Sequence, residues 1–308
     1  LGHQNVLVSD LPQKAQVWYG QASVLHGLER YDAAIEKFDR VLALAPNYAP
    51  AWAYRGYALY ELKRYNQALE SFQRSLSLNA DYALAWHGYG IVQAKRRQFE
   101  DAAHSLERAV TLDPQDPKAW YNRGKALMQL HRYGEAVASF DAMIERQPEN
   151  HRAWYNRAVA LAGQRRYTDA LSSLETAVTV KPDCYYAWTY RGRTLSQLGR
   201  FEEAHSCFER SLRFKTPNPQ AHYWQAVTYA QQGAVTQAAH ALQAAITLDT
   251  RLHRQFMQGD PHFSAVLSAD VFQTLLTTAA AMEMPTVDPL DWHQYSSLDD
   301  GPDTQADL

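Results

Sequence analysis

The stretch "KAWYNRGKAL", residues 118–127, returns thirty-four residues later as "RAWYNRAVAL", residues 152–161. A word repeated at that interval points to stacked copies of one small unit, so the period has to be followed before anything else. Anchored on tryptophan it runs through Trp18, Trp52, Trp86, Trp120, Trp154 and Trp188, with His222 in the seventh place. If Trp is position 4, seven units follow without insertion: 15–48, 49–82, 83–116, 117–150, 151–184, 185–218 and 219–252.

Other columns then align. Position 8 is always small, from Ala22 and Gly56 to Gly192 and Ala226, and position 20 is Ala in all seven units, from Ala34 to Ala238. Position 24 is Phe or Leu, position 17 is aromatic until Val235, and Pro46, Pro114, Pro148 and Pro182 occupy position 32. Positions 4, 7/8 and 11 share one stripe of a first helix, and 17, 20/21, 24 and 27/28 share one stripe of a second. Small residues at 8 and 20 let the two backbones approach, large ones fill the space beside them, and the proline ends the second helix. Each unit reads as a helical hairpin whose apolar side stays open until a neighbour stacks on it.

These columns resemble the tetratricopeptide repeat (TPR) family over residues 15–252, about three quarters of the chain. The resemblance implies an all-α fold, an α-solenoid in which seven helix-turn-helix units form a right-handed superhelix. It also implies work by protein–protein interaction along the inner wall.

Position 7, usually Leu in that family, is Arg55, Arg123, Arg157 and Arg191 here. A half-buried guanidinium needs an anion, since leaving a buried charge unpaired costs on the order of several kcal/mol. Position 25 of the preceding unit supplies one each time. The expectation is an inter-unit ladder of Asp39–Arg55, Glu107–Arg123, Asp141–Arg157 and Glu175–Arg191, with Gln73 opposite Tyr89 where both charges are missing. The alternative is that these arginines line the groove and hold ligand carboxylates.

Composition narrows the function. Eight Trp and nineteen Tyr against fourteen Gly favour helices packed through large side chains, and a net charge of −3 gives no general attraction to nucleic acid or anionic membrane. No apolar run approaches the ~20 residues of a membrane span, and the first residues do not form a signal peptide. The absence of an initiating Met suggests processing or excision from something longer. Cys184 and Cys207 lack metal or redox spacing, which fits reduced thiols in a cytoplasmic protein. The twelve His are scattered, and neither nucleotide-binding nor nucleophile motifs occur; "GYG" at 88–90 falls inside a repeat helix. The chain is expected to be neither an enzyme nor a carrier of metal or cofactor.

In TPR proteins positions 2, 5, 6, 9, 12 and 13 point into the concave groove. Here they supply Tyr57, His87, Lys118, Tyr121, Asn122, Lys125, Arg152, Tyr155, Asn156, Tyr190, Arg193 and Tyr223 as candidate binding residues. Tyr19, Tyr54, Tyr60, Tyr186, Trp224 and Lys95 share those columns, and Glu61 is the one acid among them. Stiff tyrosines with cations suit an extended, acidic peptide, whose backbone Asn side chains can pair. Several of the tyrosines also serve to brace neighbouring helices. Position 5 is never Lys or Arg and position 9 never Asn, so the family's clamp for chaperone C-termini is broken.

Residues 1–14 read as a leader, 253–282 as a capping helical segment broken at Gly259-Asp260-Pro261, and 283–308 as an acidic disordered tail. The tail holds seven acids and no Lys or Arg, and its "LDWHQYSSLDD" (290–300) could visit the positive groove. The function expected is an adaptor or scaffold that holds a protein partner. The alternatives are the recognition domain of a larger enzyme, a protein kinase or glycosyltransferase, and a self-assembling structural solenoid. Oligomeric state is left open.

Overall fold

The computed structural model describes residues 8–280. The acidic segment 283–308 and residues 1–7 of the leader lie outside them. Among the described residues there are sixteen α-helices, two short 3-10 turns and no strand. The chain divides into two compact units at Arg146/Gln147.

The first unit holds four antiparallel pairs: α1 (Gln13–Gly27) with α2 (Tyr31–Leu44), α3 (Ala49–Glu61) with α4 (Tyr65–Leu78), α5 (Ala83–Lys95) with α6 (Phe99–Leu112), and α7 (Pro117–Gln129) with α8 (Tyr133–Arg146). The second holds three: α9 (His151–Gly163) with α10 (Tyr167–Val180), α11 (Tyr185–Gln197) with α12 (Phe201–Phe214), and α13 (Pro219–Gln231) with α14 (Val235–Leu248). There α15 (Thr250–Met257), a 3-10 turn (Pro261–Phe263) and α16 (Asp270–Ala280) follow. Within each unit the second helix of one pair also packs on the first helix of the next.

The small-to-large columns explain the close pairs. Phe38, Phe72, Leu106, Phe140, Leu174, Phe208 and Leu242 are fully buried, and burying such a side chain stabilises by about 1.5–3 kcal/mol. A Cβ added at Gly56, Gly124 or Gly192 would fall 2.8, 2.7 or 2.5 Å from the ring of Phe72, Phe140 or Phe208. Phe72 is also approached from the next pair, where a Cβ on Gly88 would lie 2.2 Å away.

Every first helix ends the same way. The residue at position 15 takes a left-handed conformation, from Glu29 (φ 59°), Lys63 (58°), Arg97 (62°), His131 (57°) and Arg165 (62°) to Gly199 (72°) and Gly233 (71°). The next amide then reaches back to a carbonyl five residues earlier, as in Arg64 N–H to Leu59 O at 2.9 Å and Arg132 N–H to Leu127 O at 2.9 Å. This satisfies a carbonyl the helix end would otherwise orphan. Five of the seven positions carry a side chain where glycine would be unstrained.

The turn between pairs is fixed by tryptophan. Its indole N–H donates to the carbonyl six residues back: Trp52 to Pro46 at 2.9 Å, Trp120 to Pro114 at 2.9 Å, Trp154 to Pro148 at 2.8 Å and Trp188 to Pro182 at 2.8 Å. In the second unit the last pair is covered by Leu252, Phe256, Phe263, Val266, Phe272 and Leu275, which share its buried cluster with Leu242 and Ile246.

Candidate functional site

The arginines of position 7 make up to three kinds of contact. Each guanidinium stands over the tryptophan one turn earlier: Arg55 over Trp52 at 5.7 Å, Arg123 over Trp120 at 5.8 Å, Arg157 over Trp154 at 5.9 Å and Arg191 over Trp188 at 5.7 Å. A terminal nitrogen donates into its own pair, from Arg55 to Ser71 Oγ at 2.6 Å, from Arg157 to Ser173 Oγ at 2.7 Å, and from Arg123 to Ser139 Oγ. Nε then meets the preceding pair. Arg55 Nε donates to Asp39 at 2.6 Å, and Arg123 Nε pairs with Glu107.

The fourth rung of the expected ladder is absent among the described residues. Arg191 donates to Cys207 Sγ at 3.1 Å, where the other pairs offer serine, and its buried Nε has no hydrogen-bond partner. Glu175 stays exposed, where water solvates a carboxylate at little loss. Asp141 and Arg157 belong to different compact units. The serines at position 23 are the signal in the sequence that the acid column alone did not reveal.

The candidate groove residues sit on the first helices, but not all reach the surface. His87, Tyr155, Asn156, Tyr190 and Tyr223 are only 3–8% exposed. They brace neighbouring helices, and little of their surface is left open to a ligand. In the first unit His87 ties three pairs together. Its Nδ1 lies 3.3 Å from Asp116 Oδ2, its Nε2 2.9 Å from Asn122 Nδ2, and its ring centroid 6.3 Å from that of Tyr57. With the amide donating to Nε2, the network places the imidazole proton on Nδ1, facing Asp116. Burial lowers the His87 pKa, prevailing over the opposing pull of Asp116. Burial thus favours the neutral ring. Asp116 also caps α7 by accepting from the Lys118 amide, and the Tyr57 hydroxyl donates to Leu84 O at 3.0 Å.

In the second unit Tyr155 meets Tyr186 edge-on at 4.9 Å and Tyr190 at 5.7 Å. The Tyr223 hydroxyl donates to Asp260 Oδ2 at 2.6 Å. Gln255 Nε2 donates to the same carboxylate oxygen at 2.8 Å, and His262 Nδ1 lies 2.8 Å from the other. Burial pushes Asp260 up, but the hydrogen bonds from His262 and Tyr223 outweigh it and hold the carboxyl below its ordinary value. Tyr223 is a fastening for the C-terminal cover.

What remains accessible is cationic and aromatic. Lys118 is exposed, and Tyr57, Tyr121, Asn122, Lys125, Arg152 and Arg193 are half-buried. Lys125 Nζ stands 5.9 Å over the Tyr121 ring, and the Arg193 guanidinium 5.1 Å over Tyr190. The reading of the columns missed that these position-9 cations rest on aromatic rings one turn earlier.

Among the described residues no three His, Cys, Asp or Glu cluster to hold a metal ion, and no helix is long and apolar enough to cross a membrane. Burial raises the thiols of Cys184 and Cys207 above the ordinary cysteine range, which makes them poor nucleophiles.

Family models of the tetratricopeptide repeat match residues 13–81, 54–117, 90–150, 121–183, 155–204 and 189–251. The chain is a tetratricopeptide-repeat protein. Among curated proteins none matches it. Among solved structures, this TPR chain is similar to the C-terminal part of a TPR repeat-containing protein from Cytophaga hutchinsonii. Identity there is 19%, TM-score 0.60, and coverage 80% of this chain and 99% of that one. It is also similar to a TPR protein from Parabacteroides merdae, at 15% identity and TM-score 0.58 over 87% and 100% of the two chains. A third likeness is to pilF of Pseudomonas aeruginosa, at 15% identity and TM-score 0.56 over 70% and 94%. At these identities the likeness concerns the fold. TPR repeats support a role in protein–protein interaction.

Proposed function

We propose that this TPR protein is an adaptor or scaffold whose first-helix faces bind an extended, acidic segment of a protein partner. The observation that carries the reading is a cation over an aromatic ring on the accessible face of each unit: Lys125 over Tyr121 and Arg193 over Tyr190. Lys118 and Arg152 add charge to the same faces, and a ring beneath a cation fixes its position. Rim charges of this kind steer encounter and set the salt dependence of binding.

The test is fluorescence anisotropy with a labelled, acidic, unstructured peptide. Lys125→Glu/Arg193→Glu should weaken binding about tenfold or more and flatten its salt dependence. Equal affinity for the wild type and the charge-reversed protein sinks the proposal.

A further inference from the structure

The second unit contains a corner that the general reading leaves unused. The Arg193 guanidinium lies 4.3 Å from the centroid of the Trp224 ring as well as over Tyr190, so two aromatic groups on α11 and α13 hold one cation. It makes no hydrogen bond or ion pair with any described residue. The acid of this corner is already committed: Asp260 takes the hydroxyl of Tyr223, the amide of Gln255 and the ring of His262. His262 also meets the Trp224 indole edge-on at 5.5 Å, so the C-terminal cover forms one wall of the corner. A positioned guanidinium with donors to spare, an indole platform and no carboxylate bonded to it describe a receptor for a small planar anion.

We propose that Arg193, held by Trp224 and Tyr190, is a carboxylate-binding subsite that anchors one acidic group of the partner. This rests on the reading of the faces as acidic-peptide sites and names the residue that would fix register there. One guanidinium matches a monoanion in charge and, through two parallel N–H groups, in shape, whereas phosphorylated motifs are generally met by clusters of arginine. The carboxylate can come from an Asp or Glu side chain or from a chain terminus.

The experiment uses the full chain and four labelled peptides: end-blocked hexaglutamate, end-blocked hexaglutamine, hexaglutamine with a free C-terminal carboxylate, and end-blocked hexaglutamine carrying one phosphoserine. The expected result is binding of at least one carboxylate peptide over blocked hexaglutamine. Its affinity should fall about tenfold in Arg193→Gln and less in Arg193→Lys, which keeps the charge but loses the fork. Trp224→Leu should weaken the same peptide. The first and third peptides separate side-chain from terminal carboxylate. Hexaglutamate binding that ignores Arg193→Gln overturns the subsite and leaves the wider face reading standing. Tighter binding of the phosphoserine peptide than of either carboxylate overturns the ligand class, and no binding of any acidic peptide overturns both readings.

Discussion

Gln73 donates from Nε2 to the Tyr89 hydroxyl at 2.9 Å, in the place where the flanking junctions of the first unit set a carboxylate against a guanidinium. One junction thus keeps the geometry of the rung without its charge. The comparison separates what the arginine contributes as an ion from what it contributes as a shape.

Arg55→Met should cost more than Asp39→Asn. Asp39 is 52% exposed on its side chain and Arg55 20%, so removing the carboxylate charge is expected to cost less than about 1 kcal/mol. Removing the guanidinium also abolishes the stack on Trp52 and the bond to Ser71, for about 1–3 kcal/mol. Urea unfolding of both variants checks this; equal losses would make the ion pair the main contribution.

Trp120→Phe should destabilise by about 1–3 kcal/mol, because the Pro114 carbonyl loses the indole N–H and the Arg123 and Arg146 cations lose their better ring. The readout is the shift of the denaturation midpoint at an unchanged slope.

Arg97→Gly should raise stability. Arg97 is exposed and held at φ 62°, and a side chain in the left-handed region costs roughly 1–2 kcal/mol. Glycine's greater freedom in the unfolded chain offsets part of the gain. Gly199→Ala, at φ 72°, should move in the opposite direction. Thermal unfolding of the pair, with opposite signs expected, is the measurement.

Acid should loosen the first unit through His87. Its pKa is lowered from 6.5 in the folded protein, so the unfolded chain binds the proton more readily. The contribution of a neutral His87 is fully present above the ordinary value and is lost as pH falls through it towards the lower folded value. His87→Gln should show a shallower fall in melting temperature from pH 7.5 to about 5. Burial lowers His26 and His222 too, so the slope diminishes without vanishing. A variant as acid-sensitive as the wild type rules the assignment out.

The helix pairs were legible because their cause is local. Small residues at Gly56 and Ala68 and a large one at Phe72 recur at a fixed period, and only one hairpin satisfies that recurrence. That the candidate residues fall on first helices was legible for the same reason. Their exposure was not, because it depends on how closely the next first helix approaches: Tyr155 is covered by Tyr186 and Tyr190, and Tyr223 by a segment outside the repeats. The arginine ladder was read from one column of acids, which identified the rungs at Arg55 and Arg123. At Arg191 the position-23 residue is Cys207 instead of serine, and the Nε that a rung would use has no hydrogen-bond partner.

The tie from Tyr223 to Asp260 has an evolutionary reach. The cover formed by α15 and α16 occupies the flank of α14 on which another hairpin would have to stack, and the hydroxyl–carboxylate clasp secures it from α13. Gain or loss of whole repeats by duplication or deletion is therefore tolerable upstream of this lid, whereas a copy inserted immediately before Thr250 would inherit the task of seating it. Such a newcomer would need a tyrosine at its fifth position and an alanine-lined second helix before the lid could close over it.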